Sequence, residues 1–151
     1  MILSRKILVV KQFTFDSCHR LVNYVGKCNR MHGHTYKIEV GVYGTRDSRG
    51  LVIDFGDLKK LVSENLIDGF ASLDHNNLNE NMQIIDGSYK GELNNTTCEN
   101  MVDSIFDFLS PLVAKATDGK ARLEMIRLWE TPTSYAEIWF KDTIFAEGDE
   151  R

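Results

Sequence analysis

The chain has 151 residues, 42% of them hydrophobic and 26% charged, with a formal net charge of −4. That is the make-up of one ordinary globular domain spanning 1–151, and it excludes a disordered or fibrous chain as well as a nucleic-acid binder that relies on a broad basic surface. No apolar run approaches the roughly 20 residues that cross a bilayer and no secretory signal stands at the start, so no membrane partner is expected; the odd cysteine count (Cys18, Cys28 and Cys98) argues against a disulfide framework and for a cytoplasmic setting.

Ile7 to Phe15 ends in alternation of apolar and polar residues and predicts a first strand. His19 to Met31 reads as a loop carrying Cys28. Thr35 to Thr45 predicts a second strand, with Tyr36, Ile38, Val40 and Val42 on one face, and Arg46 to Gly50 a turn. From Gly56 to Ile67, Leu58, Leu61, Val62 and Leu66 follow helical spacing, with Asp57 suited to the first turn. Glu80 to Asn95 is polar, carries two glycines and reads as a loop. Thr96 followed three residues later by Glu99 predicts a capping box, opening a second helix whose apolar stripe (Met101, Val102, Ile105, Phe106, Leu109) runs up to Pro111. Arg122 to Trp129 and Tyr135 to Phe140 alternate as two closing strands. The order strand, strand, helix, helix, strand, strand predicts an α+β fold, an antiparallel sheet with helices on one face, whose exposed edges invite pairing with copies of the chain.

Two of the four histidines, His32 and His34, flank Gly33 in KCNRMHGHTY. Residues two apart on a strand point the same way, and a hairpin would lay His19 beside them. Three neutral imidazoles and one open position describe a catalytic zinc site, although copper, nickel and iron also accept such donors. The competing reading is a polar turn around Gly33, with His19 unrelated. Cys28 adds a thiol next to Lys27 and close to Arg30, charges that favour the thiolate. Arg20, Lys27, Arg30 and Lys37 form either a local anchor for a small phosphorylated molecule or a solvated surface. An HExxH helix, the mark of many zinc hydrolases, is missing from the sequence.

The blocks FDSCHR, CNRMHGH, GLVIDFGDLK, LDHNNLN, TTCEN and WET occur in that order between Phe15 and Thr131. With them the chain resembles the 6-pyruvoyl-tetrahydropterin synthase and 6-carboxy-tetrahydropterin synthase superfamily. The resemblance implies a tunnelling fold, a four-stranded antiparallel sheet with two helices, assembling as trimers whose sheets close a barrel and pairing into a homohexamer. It implies zinc (Zn2+) as cofactor, held by His19, His32 and His34, with Cys28 as thiol base and His75, oriented by Asp74, as proton donor or relay. It also implies that Glu130 accepts hydrogen bonds from a pterin, in a pocket to which Thr97 and Glu99 belong. Taken as residues alone, Asp74 equally suits a turn, His75 a surface position, Glu130 a rim charge and Thr97 with Glu99 a helix cap.

Three residues separate Cys28 from His32, which resembles the carboxy-forming branch. That implies a 6-carboxy-5,6,7,8-tetrahydropterin synthase of queuosine and 7-deazaguanine biosynthesis, acting on 7,8-dihydroneopterin triphosphate and releasing acetaldehyde and triphosphate. A 6-pyruvoyl-tetrahydropterin synthase and a catalytically silent pterin-binding homologue are the alternatives. Asp54 and Phe55 are assigned to the fold. Thr96 stands where many relatives have proline, and the Glu80 to Asn95 stretch is long for the carboxy-forming branch.

Overall fold

The computed structural model describes residues 4–86 and 95–143. Two strands of 14 residues each, β1 (Lys6–His19) and β2 (His32–Thr45), pair antiparallel along their whole length, from Lys6 opposite Thr45 to His19 opposite His32. Both run further than the alternation alone predicts: the segment through Asp16, Ser17, Cys18 and His19 stays extended, as does the HGH stretch. β3 (Asn76–Asn77), β4 (Ala121–Thr131) and β5 (Ser134–Trp139) complete a sheet in the order β3-β1-β2-β4-β5. The sheet is therefore five-stranded and mixed, not the expected four-stranded antiparallel one, because Asn76 and Asn77 pair parallel with Ser17 and Cys18. A two-residue strand leaves no periodicity to read.

Alternation decides which side is covered. Phe15, Ser17 and His19 of β1 and Tyr36, Ile38, Val40 and Val42 of β2 share the buried face. Fully burying a side chain such as Ile38 or Leu123 stabilises the fold by roughly 1.5–3 kcal/mol. On β4 the parity changes. Met125 pairs with Gly41 but Leu123 with Val42, so Glu124 is an extra residue in the ladder. Ala121 and Leu123 face the core before this β-bulge, and Ile126, Leu128 and Glu130 take that side after it. Gly41 permits the close approach there, since a Cβ on it would lie 2.6 Å from Met125 Cγ.

Three helices cover the buried face where two were expected. In α1 (Phe55–Val62) the Asp54 carboxylate caps the first turn, accepting from the N–H of Gly56 at 2.7 Å and of Asp57 at 3.2 Å. The helix widens into a π-helical turn at Ser63–Ile67 that buries both Leu66 and Ile67. Gly69 ends it, for a Cβ there would stand 1.6 Å from the Glu64 carbonyl oxygen. α2 (Leu78–Ile85) corrects the loop expected over Glu80 to Asn95: Asn77 caps it, and Leu78 and Met82 are its buried residues. Leu78, Met82 and Ile85 follow helical spacing and pack with the core, but a loop read from Glu80 cuts Leu78 off from the other two; residues 87–94 lie outside the described ones. α3 (Cys98–Ala116) continues through Pro111, beyond the apolar stripe, and packs on β4 and β5. No described helix is long and apolar enough to cross a membrane.

Candidate active site

The β1–β2 register sets His19 opposite His32, and His34 lies two residues along the same face. The three imidazole centroids form a near-equilateral triangle with sides of 4.8, 5.2 and 4.9 Å, rings edge-on to one another. One nitrogen from each lies within 4.8 Å of the others, so the trio is able to hold a metal ion.

Hydrogen bonding decides which nitrogens are free. His19 Nδ1 meets the Thr96 carbonyl at 2.9 Å and His32 Nδ1 meets the Arg30 carbonyl at 2.7 Å. A carbonyl only accepts, so both Nδ1 atoms carry the proton and both Nε2 lone pairs are left for a metal. His34 Nε2 is buried without a hydrogen-bond partner; the Glu130 carboxylate is 3.5 Å away, beyond hydrogen-bond range. A buried ring nitrogen facing two open lone pairs fits a cation. Burial pushes the His19 imidazolium pKa down to about 4 and lowers that of His34, against the opposing pull of the Thr96 carbonyl and of Glu130 respectively. Both rings are thus neutral near pH 7, the form that ligates.

Beside the triad is a cavity of about 230 Å³ lined by Leu21, Thr97, Cys98, Glu99, Glu130, Ser134 and Tyr135. Thr97, Glu99 and Glu130, separated by as much as 33 residues in the chain, are brought together here by the start of α3 and the end of β4. The β-bulge turns Glu130 inward, where its carboxylate faces both this cavity and His34. Burial pushes the Cys98 thiol up to about 12, and its Sγ contacts the Leu128 carbonyl at 3.3 Å, so it is an inert wall.

Asp74 and His75 form a second group. After the π-helical turn, the N–H groups of Leu73 and Asp74 bond the Leu66 and Ile67 carbonyls, leading the chain back to β1. The Asp74 carboxylate accepts from the Asp16 N–H and from His75 Nδ1, both at 2.8 Å. His75 adopts a left-handed backbone (φ +57°) with its N–H on the Asp16 carbonyl. Asp74 therefore fixes the tautomer, raises the His75 pKa and leaves Nε2 exposed. The Asp74 carboxyl itself is held below its usual range by the Asp16 N–H first and by His75 second. His75 lines an open hollow of about 680 Å³ with Asp16, Cys18, His34, Asn76 and Glu80.

Cys28 sits half-buried in a 3-10 turn, Lys27–Asn29, closing the β1–β2 connection, with its carbonyl accepting from the Leu21 N–H at 2.8 Å. Among the described residues no hydrogen bond joins Cys28 to the Asp74–His75 pair. Asn79 and Asn95 hold this connection by double hydrogen bonds to the backbone of Arg20 and Val22. Sequence reasoning missed Tyr36, whose buried hydroxyl lies 3.5 and 3.4 Å from the two His19 nitrogens, although its place two residues after His34 was a usable signal.

The sequence matches the 6-pyruvoyl tetrahydropterin synthase family over residues 8–141. The chain belongs to this family. A family relative from Haemophilus influenzae, named 6-carboxy-5,6,7,8-tetrahydropterin synthase, is 34% identical over 85% of this chain and 96% of its own. Another from Dictyostelium discoideum, named 6-pyruvoyl tetrahydrobiopterin synthase, is 30% identical over 72% and 82%. The solved 6-pyruvoyl tetrahydropterin synthase of Caenorhabditis elegans superposes with a TM-score of 0.70 at 23% identity, covering 92% of this chain and 99% of that one, a likeness of fold. Family membership makes the chain an enzyme of the lyase-type tetrahydropterin synthases.

Proposed function

We propose that the chain is a zinc-dependent 6-carboxy-5,6,7,8-tetrahydropterin synthase, converting 7,8-dihydroneopterin triphosphate to 6-carboxytetrahydropterin with release of acetaldehyde and triphosphate, in queuosine and 7-deazaguanine biosynthesis. The observation that carries it is the adjacency of the imidazole triangle to the cavity of Thr97, Glu99 and Glu130, linked by the 3.5 Å approach of Glu130 to His34. The carboxy-forming branch is supported by the relative that shares 34% identity and by the three-residue gap between Cys28 and His32.

His19, His32 and His34 hold the ion through neutral nitrogens, and zinc there supplies Lewis acidity toward the hydroxyls of the substrate side chain. The Glu130 carboxylate accepts paired hydrogen bonds from the amino and ring N–H groups of the pterin, with Thr97 and Glu99 on the facing wall. Cys28, as thiolate, removes a carbon-bound proton. His75 donates or relays protons through Nε2 while Asp74 holds its Nδ1–H. Arg20, Lys27 and Arg30 supply positive charge for the triphosphate, whereas Lys37, expected to join them, lies on the opposite face of the sheet with its Nζ 4.6 Å from the centre of the Trp129 ring. The unpaired outer edges of β5 and of most of β1 support assembly into a homohexamer, a dimer of trimers.

The test is to incubate the zinc-loaded protein with 7,8-dihydroneopterin triphosphate and identify products by mass. 6-Carboxytetrahydropterin together with acetaldehyde is the expected result. A pyruvoyl product without acetaldehyde would assign the other branch, and binding without turnover a silent homologue.

A further inference from the structure

Thr96 does not do what its sequence position suggests. The N-cap of α3 is Thr97, whose hydroxyl accepts from the Asn100 N–H at 3.2 Å, so the expected Thr96–Glu99 capping box does not form. Thr96 is instead completely buried, one residue before the helix, with both of its oxygens on one atom: the carbonyl is 2.9 Å and the hydroxyl 3.0 Å from His19 Nδ1.

We propose that Thr96 is a positioning residue for the metal centre, its hydroxyl and carbonyl together forming a two-oxygen clamp that aims His19 Nε2 at the site shared with His32 and His34. This rests on reading the three histidines as metal ligands. A single carbonyl acceptor fixes the tautomer but leaves the ring free to swing about the Cβ–Cγ bond. Two acceptors on the same N–H define the plane in which that bond lies. The Tyr36 hydroxyl does not do this, because it is nearly equidistant from both ring nitrogens and outside normal bonding range. The clamp also couples two parts of the site. Thr96 is continuous with Thr97, Cys98 and Glu99 on the cavity wall, so the start of α3 fixes the ligand and the wall as one unit across 77 residues of chain.

The experiment measures the zinc affinity of the full chain by competition with a chromophoric chelator, and the visible absorption of its cobalt form, for wild type, Thr96→Val, Thr96→Ala and Thr96→Ser. Val and Ala remove the hydroxyl and keep the carbonyl; Ala does so without setting a methyl group against His19 and stands in if Val does not fold. Hydroxyl loss weakens zinc binding about 10-fold, the lower end of the range for partners behind a ligand, and alters the cobalt bands, while Ser restores both. Wild-type affinity and bands in the folded Val or Ala protein, or a Ser variant as weak as Ala, would overturn the clamp alone. A wild-type chain that takes up neither metal would overturn the three-histidine reading beneath it.

Discussion

Glu130 Oε1 lies 3.5 Å from His34 Nε2, so one carboxylate borders both the imidazole triangle and the cavity beside it. Glu130→Gln keeps the shape but loses the charged acceptor. The expected outcome in steady-state kinetics is a fall in kcat/KM of about 30-fold or more, corresponding to loss of charge-assisted hydrogen bonds of roughly 2 kcal/mol or more, with zinc content unchanged by elemental analysis.

His34→Ala removes the corner of the triangle whose Nε2 is buried without a hydrogen bond. Zinc is expected to be lost on gel filtration from this variant and retained by wild type, read by elemental analysis, and activity disappears with it. Full activity in a metal-free His34→Ala protein would end the proposed role of the triad.

Cys28→Ala separates base from metal. Zinc binding persists, because Cys28 is not one of the three ligands, while turnover falls by roughly 100-fold or more if a positioned proton acceptor has been removed. A variant as fast as wild type takes Cys28 out of the mechanism.

The Asp74–His75 hydrogen bond of 2.8 Å raises the His75 pKa. In an NMR titration His75 is expected to lose its proton above its ordinary value in wild type and at lower pH in Asp74→Asn. Turnover in that variant should drop, and the limb of its pH profile that reports His75 should move the same way.

Chelator-treated protein should lose stability in mild acid. Burial holds the His19 pKa at about 4 in the folded state against an ordinary 6.5, so between those values the unfolded chain binds the extra proton. The contribution is present above about pH 6.5 and declines as pH falls toward 4, by on the order of 3 kcal/mol from His19, with His34 acting in the same direction. Denaturant titrations across that range check it, and a His19→Asn variant should show a shallower slope.

The long elements and the three histidines were legible because period-two alternation carries both fold and ligand geometry: the rule that buries Tyr36 and Ile38 also puts His32 and His34 on one side. β3 was not, being two residues long, and α2 was missed because reading a loop from Glu80 separated Leu78 from Met82 and Ile85, its partners at helical spacing. The capping box misplaced the start of α3 by one residue, since two adjacent threonines offer the same hydroxyl and only the tertiary partner, His19, distinguishes them. Thr97, Glu99 and Glu130 entered through family resemblance; no local pattern could announce that one β-bulge would bring them to the same cavity.

The single surplus residue at Glu124 is absorbed by the bulge, which keeps everything downstream of it on β4 in phase with β2. Its presence and chemical identity are of little consequence, because the ladder already closes around it: with the residue deleted, Leu123 and Met125 would be chain neighbours still opposite Val42 and Gly41, and Glu130 would keep its side of the sheet. In this fold, the acceptor that reads a ligand is selected by counting backbone units after the bulge: losing one residue between Met125 and Glu130 would rotate Trp129 toward the recognition wall and the acidic group to the far side of the sheet, a larger effect than most substitutions.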